Sequence, residues 1–202
     1  AVSPTSVMGA TKRMAELAIR ELGAGESTHF AAVRFGNVLG SNGSVIPIFQ
    51  QQIESGGPVT VTHPEAERYF MTAHEAAGLI LTAAAIGDNQ EIYLLDMGTP
   101  VSIDSLARTM IELSGLVPDK DITIEYTGLK TGEKLTEILS SEQEELAETA
   151  NEKLLLIRNT GSGGASLDEL DEFVTSARKL TDTEVKEGIR RIVPDYKING
   201  GD

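Results

Sequence analysis

The chain has 202 residues, 40% of them apolar, enough to bury the core of one domain or slightly more. Its 17 Lys and Arg stand against 31 Asp and Glu, a formal charge of −14, which argues against nucleic acid or anionic lipid as a partner and makes each basic side chain a notable place to meet an anionic ligand. Cysteine is absent, which excludes disulfides and thiolate metal centres, and no metal site is expected.

Ser3-Pro4-Thr5 leads into a run with Met8, Ala15, Leu17, Ala18 and Leu22 near helical spacing, predicting a helix over 5–22 that Gly23 and Gly25 close. Residues 29–33 read as a buried strand. The segment after it, through Gly36, Gly40 and Gly43, is a glycine-punctuated loop at a strand end, where ligands sit in open α/β sheets. Pro47 opens a second helix to about 55, and Gly56-Gly57-Pro58 turns into a strand over 59–62. A strand over 68–72, helix 73–86, strand 91–95, helix 102–114 and strand 122–126 follow, an alternation that predicts an α/β architecture with mixed or parallel pairing. Residues 140–152 are rich in Glu, 161–164 form a flexible break, and 167–193 read as two amphipathic helices.

No apolar run approaches the roughly 20 residues that span a bilayer, and no signal peptide opens the chain. The segment is expected to make no membrane contact and to be cytoplasmic, or the cytoplasmic domain of a membrane-anchored parent. Ala1-Val2-Ser3-Pro4 carries no initiator Met, so a fragment of a longer protein is expected.

Three segments carry candidate chemistry. In Met8-Gly9-Ala10-Thr11-Lys12 the first and last side chains lie one turn apart on one helix face, which fits either a functional pair or a packed Met beside a solvated Lys. Arg34-Phe35-Gly36-Asn37 and Gly40-Ser41-Asn42-Gly43-Ser44-Val45-Ile46-Pro47 place glycines and small polar residues between a strand and a helix. There backbone N–H groups can approach an anionic or sugar ligand, though a plain surface loop looks the same. Gly128-Leu129-Lys130-Thr131-Gly132-Glu133-Lys134 offers a point charge for phosphate and a carboxylate for sugar hydroxyls, or a solvated turn.

Together with Arg68-Tyr69-Phe70-Met71-Thr72, these segments resemble the extended short-chain dehydrogenase/reductases, and within them the capsule and glycan-biosynthesis UDP-N-acetylglucosamine 4,6-dehydratases, over residues 1–158. The resemblance implies the C-terminal part of a Rossmann-like fold with a small α/β substrate lobe over 1–158; the flexible break and helical tail over 159–202, read from composition and periodicity, have no counterpart in it. It implies a nucleotide-sugar dehydratase converting UDP-N-acetylglucosamine to a 4-keto-6-deoxy sugar nucleotide through transient C4 oxidation by NAD(P). The alternatives are an NAD(P)-dependent UDP-sugar epimerase and a non-catalytic UDP-sugar-binding or interaction module.

Family members carry a Tyr-x-x-x-Lys pair in which the Tyr takes the proton of the sugar C4 hydroxyl and the Lys binds nicotinamide ribose and lowers the phenol pKa. Here Met8 stands at the Tyr position, with Lys12 at the Lys position, as in the long membrane-anchored branch. A thioether is no general base, so the acid/base groups are expected in a Thr-Asp-Lys segment upstream of Ala1. By resemblance Lys12, Val38, Leu39, Gly40, Ser41 and Asn42 contact the cofactor, and Asn37, Val45, Thr62, Arg68, Lys130 and Glu133 contact the UDP-sugar. Lys130-Thr131 replaces the usual Arg-Pro, reducing a bidentate contact to a point charge. The glycine-rich dinucleotide fingerprint is absent, so NAD(P) is expected to be held mainly by an N-terminal part outside this chain. The chain alone is expected to be inactive and to self-associate through apolar surface left for the first half, and the full-length protein to be a homo-oligomer.

Overall fold

A computed structural model describes residues 1–22, 27–41, 43–158 and 165–197. Gly23, Gly25, Asn42 and the break expected at 161–164 lie outside the described residues.

In chain order the elements are α1 (Val7–Leu22), β1 (Ala32–Arg34), β2 (Asn37–Val38), α2 (Val45–Glu54), β3 (Val59–Val61), β4 (Glu67–Arg68), β5 (Phe70–Met71) and α3 (Ala73–Ile86). Then follow β6 (Ile92–Leu95), β7 (Val101–Ser102), α4 (Ile103–Leu113), β8 (Ile124–Tyr126), β9 (Glu145–Glu148), β10 (Leu154–Arg158), α5 (Leu167–Ala177) and α6 (Asp182–Ile192). The α/β alternation is as expected from the sequence. The strand expected over 68–72 is divided between β4 and β5, which pair with different partners.

The described residues form two compact units. One comprises Ala1–Phe35, Gly78–Asp96 and the chain from Ile138 onward. Its sheet runs β1-β6-β10-β9, with β1 parallel to β6 and β10 antiparallel to both its neighbours. All four residues of β6 are buried, as a central strand of β-branched, aromatic and leucine side chains requires. The β9–β10 hairpin was not foreseen. β10 is the apolar run Leu154-Leu155-Leu156-Ile157, whereas the Glu-rich β9 owes its conformation to pairing with β10. Between them the single Thr149 hydroxyl proton lies within reach of the carbonyls of Leu154 and Asn151, and Oγ1 accepts the Asn151 N–H, closing the turn.

A second cluster of this unit packs Ala10, Met14 and Leu17 of α1 against Leu170 of α5, Ile189 and Ile192 of α6, and Val193 and Tyr196 beyond it. The two expected tail helices therefore exist. Each starts at a reciprocal cap, Ser166 with Glu169 and Thr181 with Glu184, in which the side chains satisfy each other's free backbone N–H groups.

The other unit comprises Gly36–Ala77 and Met97–Glu137. It holds three two-stranded pairs: β2 parallel to β5, β3 parallel to β8, and β4 antiparallel to β7. α2 and α4 cover β3 around Phe49, Ile53, Val59, Val61, Ala107, Ile111 and Ile124. α4 follows from its sequence: Ser102 caps it by accepting the Ser105 N–H, and Ile103, Ala107 and Ile111 recur at helical spacing on its buried face. α3 carries the chain between the units. After His74 and Glu75 in its first turn it is apolar but for Thr82, burying Ala76 and Ala83 and exposing Ile80, Leu81 and Ile86.

Candidate functional site

The candidate residues divide between the units. Met8 and Lys12 belong to the unit of α1, and Asn37 to Ser41, Val45, Thr62, Arg68, Lys130 and Glu133 to the other.

On α1 the helical period turns Ala10, Met14 and Leu17 inward and leaves Met8 and Lys12 on the open side, with Met8 67% exposed. The packed-Met reading is thereby overturned. The buried positions of α1 are set by helices more than 140 residues downstream, and those helices select Ala10 and Met14 rather than Met8.

Arg34, in the same unit, is committed to structure. Its Nε and Nη2 donate to Glu16 Oε1 and Oε2 at 2.6 and 2.8 Å, its Nη1 and Nη2 donate to Glu144 at 2.9 Å each, and Nη1 also donates to the Leu139 carbonyl at 3.3 Å. Every guanidinium proton thus has an acceptor. Burial works against the charge on Arg34, but hydrogen bonding to Glu16 and Glu144 outweighs it and raises the pKa above the ordinary arginine range. Burial likewise opposes the charge on Glu144, and the Arg34 guanidinium together with the Ser141 N–H holds that carboxyl below the ordinary range.

In the second unit Gly36 permits a close approach. A Cβ there would lie 2.7 Å from the Tyr69 Cβ and 2.8 Å from the Tyr69 carbonyl, the same carbonyl that accepts the Asn37 N–H at 2.8 Å. Asn37 and Val38 then pair with Phe70 and Met71, and the Leu39 N–H reaches the Met71 carbonyl. Beyond them Gly40 and Gly43 turn the chain at φ of 72° and 73°, and Asn37, Leu39, Gly40 and Ser41 are exposed.

α2 begins at Val45, so Pro47 is its third residue and not its first. Ser44 sits at the N-cap but makes no side-chain cap bond, and its Oγ is buried without a partner. The cause is local: a serine cap bonds the N–H of the second or third helical residue, and the third here is a proline. The first-turn N–H groups of Val45 and Ile46 have no acceptor within the helix.

Glu133 is the hub of the remaining residues. Its Oε1 accepts from Thr62 Oγ1 at 2.9 Å and from Arg68 Nη2 at 2.7 Å, and its Oε2 accepts the Lys130 N–H at 3.1 Å. The Glu133 N–H returns to the Lys130 carbonyl at 2.9 Å, closing a turn that Gly132 completes at φ of 80°. Arg68 Nη1 donates to the carbonyls of Glu67 and Leu135, both at 2.8 Å. The Arg68–Glu133 pair is largely buried, with side chains 12% and 21% exposed, whereas Lys130 is exposed. Four of the six expected UDP-sugar contacts therefore meet in one network. Asn37 adjoins it through Tyr69, the residue after Arg68, and Val45 stands at the helix start described above.

The α2 N-terminus and the Lys130 ammonium can each meet negative charge, and Thr62 and Glu133 can meet hydroxyl groups. For a dinucleotide the chain offers less. Lys12 presents an exposed ammonium in its own unit, and no Gly-x-Gly-x-x-Gly turn is present in the sequence to take a pyrophosphate.

Residues 1–159 match the sequence profile of a family described as polysaccharide biosynthesis protein. The capsular polysaccharide biosynthesis protein CapD of Staphylococcus aureus is 56% identical over 155 residues, 76% of this chain and 26% of the relative. A UDP-glucose 4-epimerase of Rickettsia bellii is 34% identical over 148 residues, 71% of this chain and 42% of the relative. Among solved structures, Pen from Bacillus thuringiensis superposes with a TM-score of 0.70 at 38% identity, covering 82% of this chain and 52% of its own. DesIV, a dTDP-glucose 4,6-dehydratase from Streptomyces venezuelae solved with NAD bound, shares the fold with a TM-score of 0.60 at 19% identity, covering 68% of this chain and 43% of its own. The chain thus spans about a quarter of the CapD relative and about half of Pen.

Proposed function

The chain belongs to the polysaccharide biosynthesis protein family, in the extended short-chain dehydrogenase/reductase group, and from that membership we propose that it is the nucleotide-sugar-binding part of an NAD(P)-dependent dehydratase acting on UDP-N-acetylglucosamine. The observation that carries the proposal is the Thr62–Arg68–Glu133 network with Lys130 on its turn. Lys130 and the free N–H groups of Val45 and Ile46 take the diphosphate, with the unpartnered Ser44 Oγ as a further donor. Thr62, Glu133 and Asn37 meet the sugar and ribose hydroxyls. Arg68, its charge already paired with Glu133, orders the carboxylate and keeps Nε and one Nη2 proton outside the bonds described for it.

A bound NAD(P) would supply the hydride acceptor and donor for transient oxidation at C4, the chemistry that lets water leave across C5 and C6 to give a 4-keto-6-deoxy sugar. Lys12 holds the nicotinamide ribose through its ammonium. Met8 takes no proton, so the C4 hydroxyl and C5 protons pass to groups outside these 202 residues. The parallel edge strand β1, paired only with β6 among the described residues, suits a sheet continued by such an upstream part.

The match to a UDP-glucose 4-epimerase favours epimerisation as the second reading, since both reactions begin with C4 oxidation. Calorimetry with UDP and UDP-N-acetylglucosamine tests binding by the chain itself. Fusion to the residues that precede the match in the S. aureus relative tests turnover, with a 4-keto-6-deoxy product expected and a C4 epimer deciding for the second reading. No UDP binding by the chain, or binding unaffected by Lys130→Ala, overturns the proposal.

A further inference from the structure

We infer that the C-terminal helix pair is a positioning element: α5 and α6 hold α1, and with it Lys12, in place. The functional half of this inference rests on the role proposed above for Lys12; the mechanical half does not.

α1 buries Ala10, Met14 and Leu17 in a cluster whose other buried members, Leu170, Ile189, Ile192, Val193 and Tyr196, all follow residue 159, where the family match ends. Among the described residues, no sheet residue belongs to that cluster, and α5 and α6 are the elements α1 packs against most extensively. Without them the apolar face of α1 is left to water, and a single 16-residue helix has little stability of its own.

The grip is geometrically specific. Gly188 of α6 lies against the Phe173 ring of α5, where a Cβ would stand 2.2 Å from Cε2, so only the absence of a side chain lets the two helices approach this closely. Both start at reciprocal caps, which fixes their first turns. Past α6, buried Tyr196 joins the cluster, and the Lys197 N–H donates to the Pro4 carbonyl at 2.9 Å, tying the end of the tail to the residues that lead into α1. On its other flank α1 is anchored by Glu16 to Arg34.

Lys12 lies between Ala10 and Met14, two of the residues through which the tail holds the helix, so a tilt or rotation of α1 on the tail carries the ammonium with it. A point charge serving a ribose hydroxyl has to be placed to within about an ångström to be effective.

The test is hydrogen exchange followed by mass spectrometry on the 202-residue chain carrying Ile189→Ala, Tyr196→Ala or the conservative Ile189→Val. In the first two, α1 amides exchange faster by about thirty-fold or more while β6, β10 and α4 keep their protection, and Ile189→Val retains most of the α1 protection. Unchanged α1 exchange, or loss of β6 and β10 protection in step with α1, overturns the inference. In the fusion with the upstream residues of the S. aureus relative, Tyr196→Ala lowers kcat as Lys12→Ala does, by about ten-fold or more, at an unchanged KM for the UDP-sugar. If Lys12→Ala is harmful and Tyr196→Ala silent, the positioning role is overturned. If Lys12→Ala is itself silent, the reading of Lys12 has failed, and the exchange data still decide whether the tail holds α1.

Discussion

Arg34 grips Glu16 through two parallel hydrogen bonds, Nε to Oε1 at 2.6 Å and Nη2 to Oε2 at 2.8 Å, joining β1 to α1 through a buried pair that Glu144 completes. Removing one member of such a cluster strands the others' charge away from water. Arg34→Met is therefore expected to destabilise the chain by about 3–5 kcal/mol, measured by urea unfolding at neutral pH.

The same cluster sets an acid limit. The folded-state pKa of Glu144 is depressed, so its contribution is present above the unfolded glutamate value of about 4.3 and is lost as pH falls through the folded value. Unfolding free energy measured between pH 6 and pH 3, roughly the range that brackets this window, should decline below about pH 4.3. In Glu144→Gln that decline should be shallower, and an equal slope in both proteins counts against Arg34 as the cause.

Ser44 and Ser102 occupy the same position on two helices and are expected to respond differently to alanine. Ser102 accepts the Ser105 N–H, so Ser102→Ala should cost about 1 kcal/mol. Ser44 makes no cap bond and its Oγ is buried without a partner, so Ser44→Ala should change the stability of the free chain by less than about 0.5 kcal/mol while weakening UDP binding. Melting temperature and UDP calorimetry on the two variants separate the cases.

Glu133 is expected to couple stability and binding. Glu133→Ala removes the acceptor of Thr62, of the Lys130 N–H and of the largely buried Arg68 charge, and should destabilise the chain by about 1.5–3 kcal/mol. Lys130→Ala, at an exposed position, should leave melting unchanged and weaken UDP binding about ten-fold. A Lys130→Ala variant with unaltered affinity removes that residue from the diphosphate site.

What the sequence disclosed follows the range of the forces involved. α4 was legible because Ser102 and the spacing of Ile103, Ala107 and Ile111 are local signals, and α3 because Thr72 and Glu75 form a capping pair at its start. β9 was not, since Glu145-Leu146-Ala147-Glu148 has no strand preference and becomes a strand only by pairing with β10. The site residues were legible as motifs, but the hub role of Glu133 joins positions 65 and 71 residues apart, a connection no local pattern carries. The exposure of Met8 likewise depended on which face of α1 the tail helices would claim.

That exposure sharpens the comparison of Met8 with Lys12. At 67% exposure Met8 contributes little to the core, so Met8→Leu and Met8→Tyr should each alter stability by less than about 0.5 kcal/mol, and a phenol introduced there would reach solvent rather than be buried without a partner. Lys12, one turn on and also exposed, should be equally neutral to stability when changed to Ala. In the fusion with the upstream residues of the S. aureus relative the three variants should part company. On the role proposed for Lys12, Lys12→Ala should lose a charged hydrogen bond to the cofactor, worth about 1.5–3 kcal/mol, and lower turnover about ten-fold or more. Met8→Leu should be silent, because a thioether supplies no proton. Met8→Tyr should be tolerated, since the position is open to solvent and Lys12 lies one turn away to favour a phenolate. Melting temperature and turnover measured together on all three decide the matter: loss of activity on Met8→Leu would give the thioether a role that proton chemistry does not supply, and a silent Lys12→Ala would leave this face of α1 without a cofactor contact.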